Sequence, residues 1–107
     1  MAEELLLVVS TFPDAETARR IAHQLVAERF AACANIIPQI ESIYLWEGKI
    51  EDGAETLVLL KTTTGYYTSL EQKLRSLHPY KLPEIIAFRA SEGLPEYLQW
   101  VMERCSA

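Results

Sequence analysis

Few side chains in this sequence could bind a metal or act as a nucleophile. The imidazoles are His23 and His78, and the thiols are Cys33 and Cys105. Thiolates and imidazoles suit copper, and imidazoles with carboxylates suit zinc. The spacings CxxC, HxxxH and HExxH are all absent. Cys33 is therefore read either as a ligand or nucleophile or as a small buried apolar residue, burial being the usual state of a free cysteine. His23 falls beside an apolar helical stripe and is expected on the solvated side. His78, followed by Pro79 and Tyr80, either takes part in a site or simply marks the end of a helix. A second group is Tyr44, Trp46, Lys61, Tyr80 and Glu84. Tyr44 and Trp46 are two residues apart, so on a strand they share a face. An aromatic wall with one cation and one carboxylate suits a small anionic or zwitterionic ligand in a cleft between subunits. Alternatively, the aromatics fill a subunit interface, where Tyr and Trp are enriched, and Lys61 pairs with Glu84. No Ser-His-Asp set, paired-carboxylate pattern or Gly-rich phosphate loop stands out, and the four glycines are scattered. The expectation is a protein that is not an enzyme.

Composition narrows the class further. The chain has 107 residues, half of them apolar, with a net charge of −5. That length fits one domain spanning residues 1–107 with a real core. The acidic balance argues against a nucleic-acid surface, which normally shows a basic stripe. No apolar run reaches the roughly 18 residues of a membrane span. The first residues, Met-Ala-Glu-Glu, are acidic where a secretory signal begins basic, so the cytoplasm is the expected compartment. Two distant thiols there do not make a disulfide framework.

The elements that must position these groups follow from periodicity. Leu5 to Val9 reads as a buried strand bounded by Ser10-Thr11-Phe12-Pro13. Asp14 is a good N-cap for a helix whose stripe is Ala15, Ala18, Ile21, Ala22, Leu25 and Val26. Ala31 to Glu47 reads as nearly continuous extended chain, interrupted by a bulge or bend at Pro38-Gln39. Fully extended, it would span about 55 Å, whereas a domain of this length is only about 35 Å across. The segment must bend sharply or project, and a projecting apolar strand needs another chain to cover it. Gly48 to Gly53 carries turn chemistry, and Ala54 to Thr63 runs back. Its centre, Leu57-Val58-Leu59-Leu60, does not alternate, so both sheet faces are apolar there. One face can be covered by helices and the other by a partner subunit. Tyr67, Leu70, Leu74 and Leu77 mark a second helix, stopped at His78-Pro79. Glu84 to Arg89 is a last strand, and Pro95 opens a short helix with Tyr97, Leu98 and Val101 on its inner side. The order is the ferredoxin-like βαββαβ plan plus a C-terminal helix, an α+β fold with both main helices on one face of an antiparallel sheet. RNA-binding modules share this topology, but the strand from Ala54 to Thr63 has no aromatic residue for stacking bases.

Four segments together resemble the CutA family of divalent-cation-tolerance proteins. They are Glu28 to Pro38 (ERFAACANIIP), Ser42 to Ile50 (SIYLWEGKI), Leu60 to Thr63 (LKTT) and His78 to Ile85 (HPYKLPEI). Phe30 stands where many members have Leu. The resemblance implies a homotrimer whose long strands pair across subunits, similar in architecture to PII signalling proteins, with no established enzymatic reaction. It implies a role in tolerance of copper and other divalent metals, with copper or another divalent cation as the bound ion. Some bacterial members carry a cysteine near the end of the first strand and a His-His pair before Pro-Tyr. The matching residues here are Ser10 and Leu77-His78, so the implied metal set is His78 and Ser10, with Cys33 the remaining soft ligand. A sensor similar to PII, binding a small metabolite at subunit clefts, is the alternative.

Overall fold

The longest elements of the fold are joined by a turn of two residues. Glu47 and Gly48 both have positive φ, 50° and 80°, the pattern of the hairpin turn whose twist matches the strands it connects. The computed structural model describes residues 3–105. Its elements run β1 (Leu5–Phe12), α1 (Ala15–Ala27), β2 (Cys33–Trp46), β3 (Lys49–Thr63), α2 (Tyr67–Leu77), β4 (Ile86–Arg89) and α3 (Pro95–Arg104). The strands form one antiparallel sheet in the order β2-β3-β1-β4. This is the predicted ferredoxin-like plan with its added helix.

Several boundaries differ from the sequence reading; β2 runs Cys33–Trp46 rather than Ala31 to Glu47. β1 continues to Phe12 because Ser10 and Thr11 pair with Val58 and Leu57 of β3, which overrides the turn preference of short polar side chains. β3 begins at Lys49 rather than Ala54. Glu51, Asp52 and Gly53 look like turn residues but pair with Tyr44, Ile43 and Ser42. β4 starts at Ile86, not Glu84. The predicted bulge is present: the β2–β3 register shifts between Ile37 and Ile40, with Gln39 at φ 58°.

Alternation along β1 and β3 separates two faces. Val8, Phe12, Val58 and Leu60 point at α1 and α2, where Ile21, Leu25, Leu70 and Leu74 close the main core. Asp14 caps α1 by accepting the Thr17 backbone N–H at 2.7 Å, and that bond holds its carboxyl below the usual range. α2 stops at His78, whose extended ψ of 135° is the conformation a following proline imposes. The opposite face carries Leu7, Val9, Leu57 and Leu59, all partly exposed. α3 covers one end of this face, packing Val101 and Cys105 against Leu5 and Ala32. The rest is open in a single chain.

The hairpin outgrows the sheet. β1 pairing ends at Phe12 and Thr56, so Lys49 to Glu55 pairs with β2 alone. Ile43, Leu45 and Ile50 on this ribbon are 67%, 68% and 70% exposed. The radius of gyration is 14.4 Å and the longest extent 44 Å, against about 13 Å for the radius of gyration of a compact domain of this size. Of the two outcomes open to the long extended segment, projection is the one found.

Candidate functional site

Alongside this ribbon the chain builds an open cleft of about 760 Å³. Tyr44 and Trp46 enter it from β2, sharing one face by strand alternation. Tyr80 and Glu84 enter from the loop between α2 and β4, and Glu55 from β3. The loop is pinned to the ribbon by Tyr80, whose hydroxyl donates to Glu55 Oε2 at 2.6 Å. Burial, and then the Glu55 carboxylate, push the Tyr80 phenol up, so it stays a donor.

His78 anchors the start of this loop from within. Its Nδ1 accepts the Tyr80 backbone N–H at 3.1 Å, so the proton sits on Nε2, which donates to the Thr11 carbonyl at 2.8 Å. The ring stacks on Phe12 with centroids 4.4 Å apart and planes at 18°. Burial pulls its pKa below the ordinary value, opposed by the Thr11 carbonyl and the Glu55 carboxylate. Protonating Nδ1 would set two donors against each other. The unfolded chain takes up this proton near pH 6.5 and the folded chain only at lower pH, so the unfolded state binds more protons in between. Thermal stability is expected to fall as pH drops from about 6.5 towards the folded pKa. Melting curves between about pH 8 and pH 5 check this: His78→Gln should flatten the slope, and an unchanged slope would assign it to other groups.

The predicted metal residues do not meet within one chain. Both His78 ring nitrogens are occupied. Ser10 is fully buried on the helix-facing side, its Oγ without a hydrogen-bond partner. Cys33 lies on the opposite face, its sulfur 3.6 Å from the Tyr97 hydroxyl. Ser10 pairs with Val58 and Cys33 with Lys61, rungs of β3 roughly 10 Å apart. Among the described residues no cluster of three or more His, Cys, Asp or Glu could hold a metal ion. These side chains do not fit a resident copper or zinc centre inside one subunit.

The second group is brought together except for one member. Tyr44, Trp46, Tyr80 and Glu84 share the cleft, but Lys61 does not. Its ammonium donates to Asn35 Oδ1 and borders a separate hollow of about 300 Å³ with Leu7, Phe88 and Tyr97. The Lys61–Glu84 pair is therefore corrected: register places Lys61 beside Cys33, on the open sheet face. The cleft's own cation is Lys81, which lies inside the segment His78 to Ile85 but drew no attention there. Glu55 and Glu41 were also missed, because their place depends on the register beyond the bulge.

An antiparallel βαββαβ sheet, its two main helices on one face, with an overlong ribbon and an aromatic cleft alongside it, defines the class: a ferredoxin-like α+β protein with a projecting β-arm. The profile of the CutA1 divalent ion tolerance protein family matches residues 6–104, and the chain belongs to that family. It is 48% identical over 101 residues to the divalent-cation tolerance protein CutA of Thermus thermophilus, covering 94% of this chain and 96% of that one. Identity to mouse protein CutA is 46% over 91 residues, covering 85% of this chain and 51% of the mouse protein. The crystal structure of CutA from Xylella fastidiosa superimposes with a TM-score of 0.93 at 43% identity, covering 96% and 99% of the two chains.

Proposed function

We propose that the chain acts as a homotrimer in tolerance of divalent metal ions, catalyses no reaction, and binds copper or other divalent cations only weakly. The observation that carries this reading is the open apolar face of Leu7, Val9, Leu57 and Leu59 together with the exposed ribbon. Apolar area of this kind, beside an unpaired strand edge, is covered by association. The count of three rests on membership of the CutA family. Weak metal binding follows from the scattered ligands and the occupied His78 ring.

Two measurements test it. Sedimentation should give a particle of three 12.2 kDa chains. A single-copy particle at micromolar concentration would end the trimer reading. Calorimetric titration with copper and zinc should show binding no tighter than surface carboxylates provide, unchanged in His78→Ala. Tight binding lost with that substitution would restore His78 as a ligand.

A second reading is a PII-like sensor of a small metabolite. The size of the aromatic cleft, about 760 Å³, favours it, being within the roughly 300–1,000 Å³ usual for small-ligand sites. A thermal-shift screen of metabolites tests it, with Trp46→Ala expected to abolish any hit.

A further inference from the structure

We propose that the Pro38-Gln39 bulge is an edge guard, which keeps β2 of an unassembled chain from templating open-ended strand addition by further copies. The proposal concerns the stage before association and holds for any final number of subunits. The sheet has two outer strands, β2 and β4. An unpaired strand edge invites pairing with other chains, and shortness is one defence. β4 has that defence, with four residues, whereas β2 has fourteen.

β2 also has the composition that makes an edge hazardous. No charged residue occurs among residues 30–40, and Asn35-Ile36-Ile37 leads straight into the bulge. Uncharged, proline-free segments of about six residues with high β-propensity form the dry strand stacks of fibrils. Ile36, Ile37 and Ile40 would share one such segment if position 38 were not proline. Pro38 offers no N–H to an added strand. Gln39, at φ 58°, takes the backbone out of the extended conformation. Both residues are exposed, so the break lies at the surface.

The ladder with β3 does not need the bulge. Ile37 pairs with Leu57 and Ile40 with Glu55, leaving Pro38 and Gln39 opposite Thr56 alone. Removing one of the two would restore one-to-one pairing and keep both flanking pairs. Tyr44 and Trp46 would stay on the face they now occupy, because their pairs with Glu51 and Lys49 lie beyond the irregularity. A left-handed backbone is uncommon at a residue other than glycine, and it persists here where internal pairing does not require it. Its effect is on what lies outside. The row of donors and acceptors that β2 offers is cut into two stretches, residues 33–37 and 40–46.

The test refolds the intact chain from urea over a range of micromolar concentrations. Light scattering, thioflavin T fluorescence and soluble recovery are followed. Two variants share the deletion of Gln39. One adds Pro38→Thr, which makes the edge continuous. The other adds Pro38→Lys, which supplies the kind of charge that blunts strand edges. The parent should stay soluble. The Pro38→Thr variant should lose soluble recovery several-fold as concentration rises, with thioflavin-positive aggregates, and the Pro38→Lys variant should recover like the parent. A Pro38→Thr variant as soluble as the parent overturns the proposal, as do aggregates that leave thioflavin dark. Equal losses in both variants overturn it too, since the deletion then acts by unfolding the chain or by straightening a ribbon that the bulge bends.

Discussion

Replacing Phe12 by alanine is expected to destabilise the fold by about 3–5 kcal/mol. That is a large share of the roughly 5–15 kcal/mol by which domains of this size are stable. Phe12 is 1% exposed and belongs to the main core between sheet and helices. Its ring is also the surface on which His78 stacks. Truncation therefore leaves a cavity and removes the support of the group that anchors the Tyr80 loop. Urea midpoints at a fixed subunit concentration measure the loss, since the proposed association would make apparent stability concentration-dependent. Phe12→Leu should cost much less, because it keeps most of the volume. A Phe12→Ala midpoint matching the parent within error would mean that the packing described for this ring is wrong.

Leu59→Glu is expected to convert the proposed trimer into single chains. Leu59 sits at the centre of the open face, between Val9 on β1 and Asn35 on β2. In a lone chain the new carboxylate is solvated, so the fold should survive. In an assembly that covers this face, every subunit would bury an unpaired charge, at a cost of several kcal/mol each. Sedimentation would then show particles of 12.2 kDa with unchanged circular dichroism. An intact assembly in this variant would show that another surface joins the subunits.

How much of this was legible in the residues depends on the range of the interaction. The α1 stripe was readable because four of its six residues, Ala18, Ile21, Ala22 and Leu25, are the buried ones. The stop at His78 was readable because proline constrains its immediate neighbour. The bulge at Pro38-Gln39 was equally local. The polar ends of β1 and β3 were misjudged because pairing with a distant strand overrode their local turn preference. Within the site, Tyr44 and Trp46 were correctly set on one face by their spacing. Lys61 was misplaced because the cleft depends on which strand face turns towards the Tyr80 loop. The partner of His78 Nε2 is the Thr11 carbonyl, 67 positions away, and nothing near His78 in sequence announces it.

The overhanging arm also bears on how the molecule is made. A copy just off the ribosome presents Ile43, Leu45 and Ile50 to its surroundings, with β2 at one edge of the sheet. On a busy polysome the nearest neighbour is another unfinished copy carrying the same arm. Productive joining and clumping then begin from the same encounter. If the chain assembles as proposed, the yield of usable protein depends on how quickly each newcomer finds its correct seat.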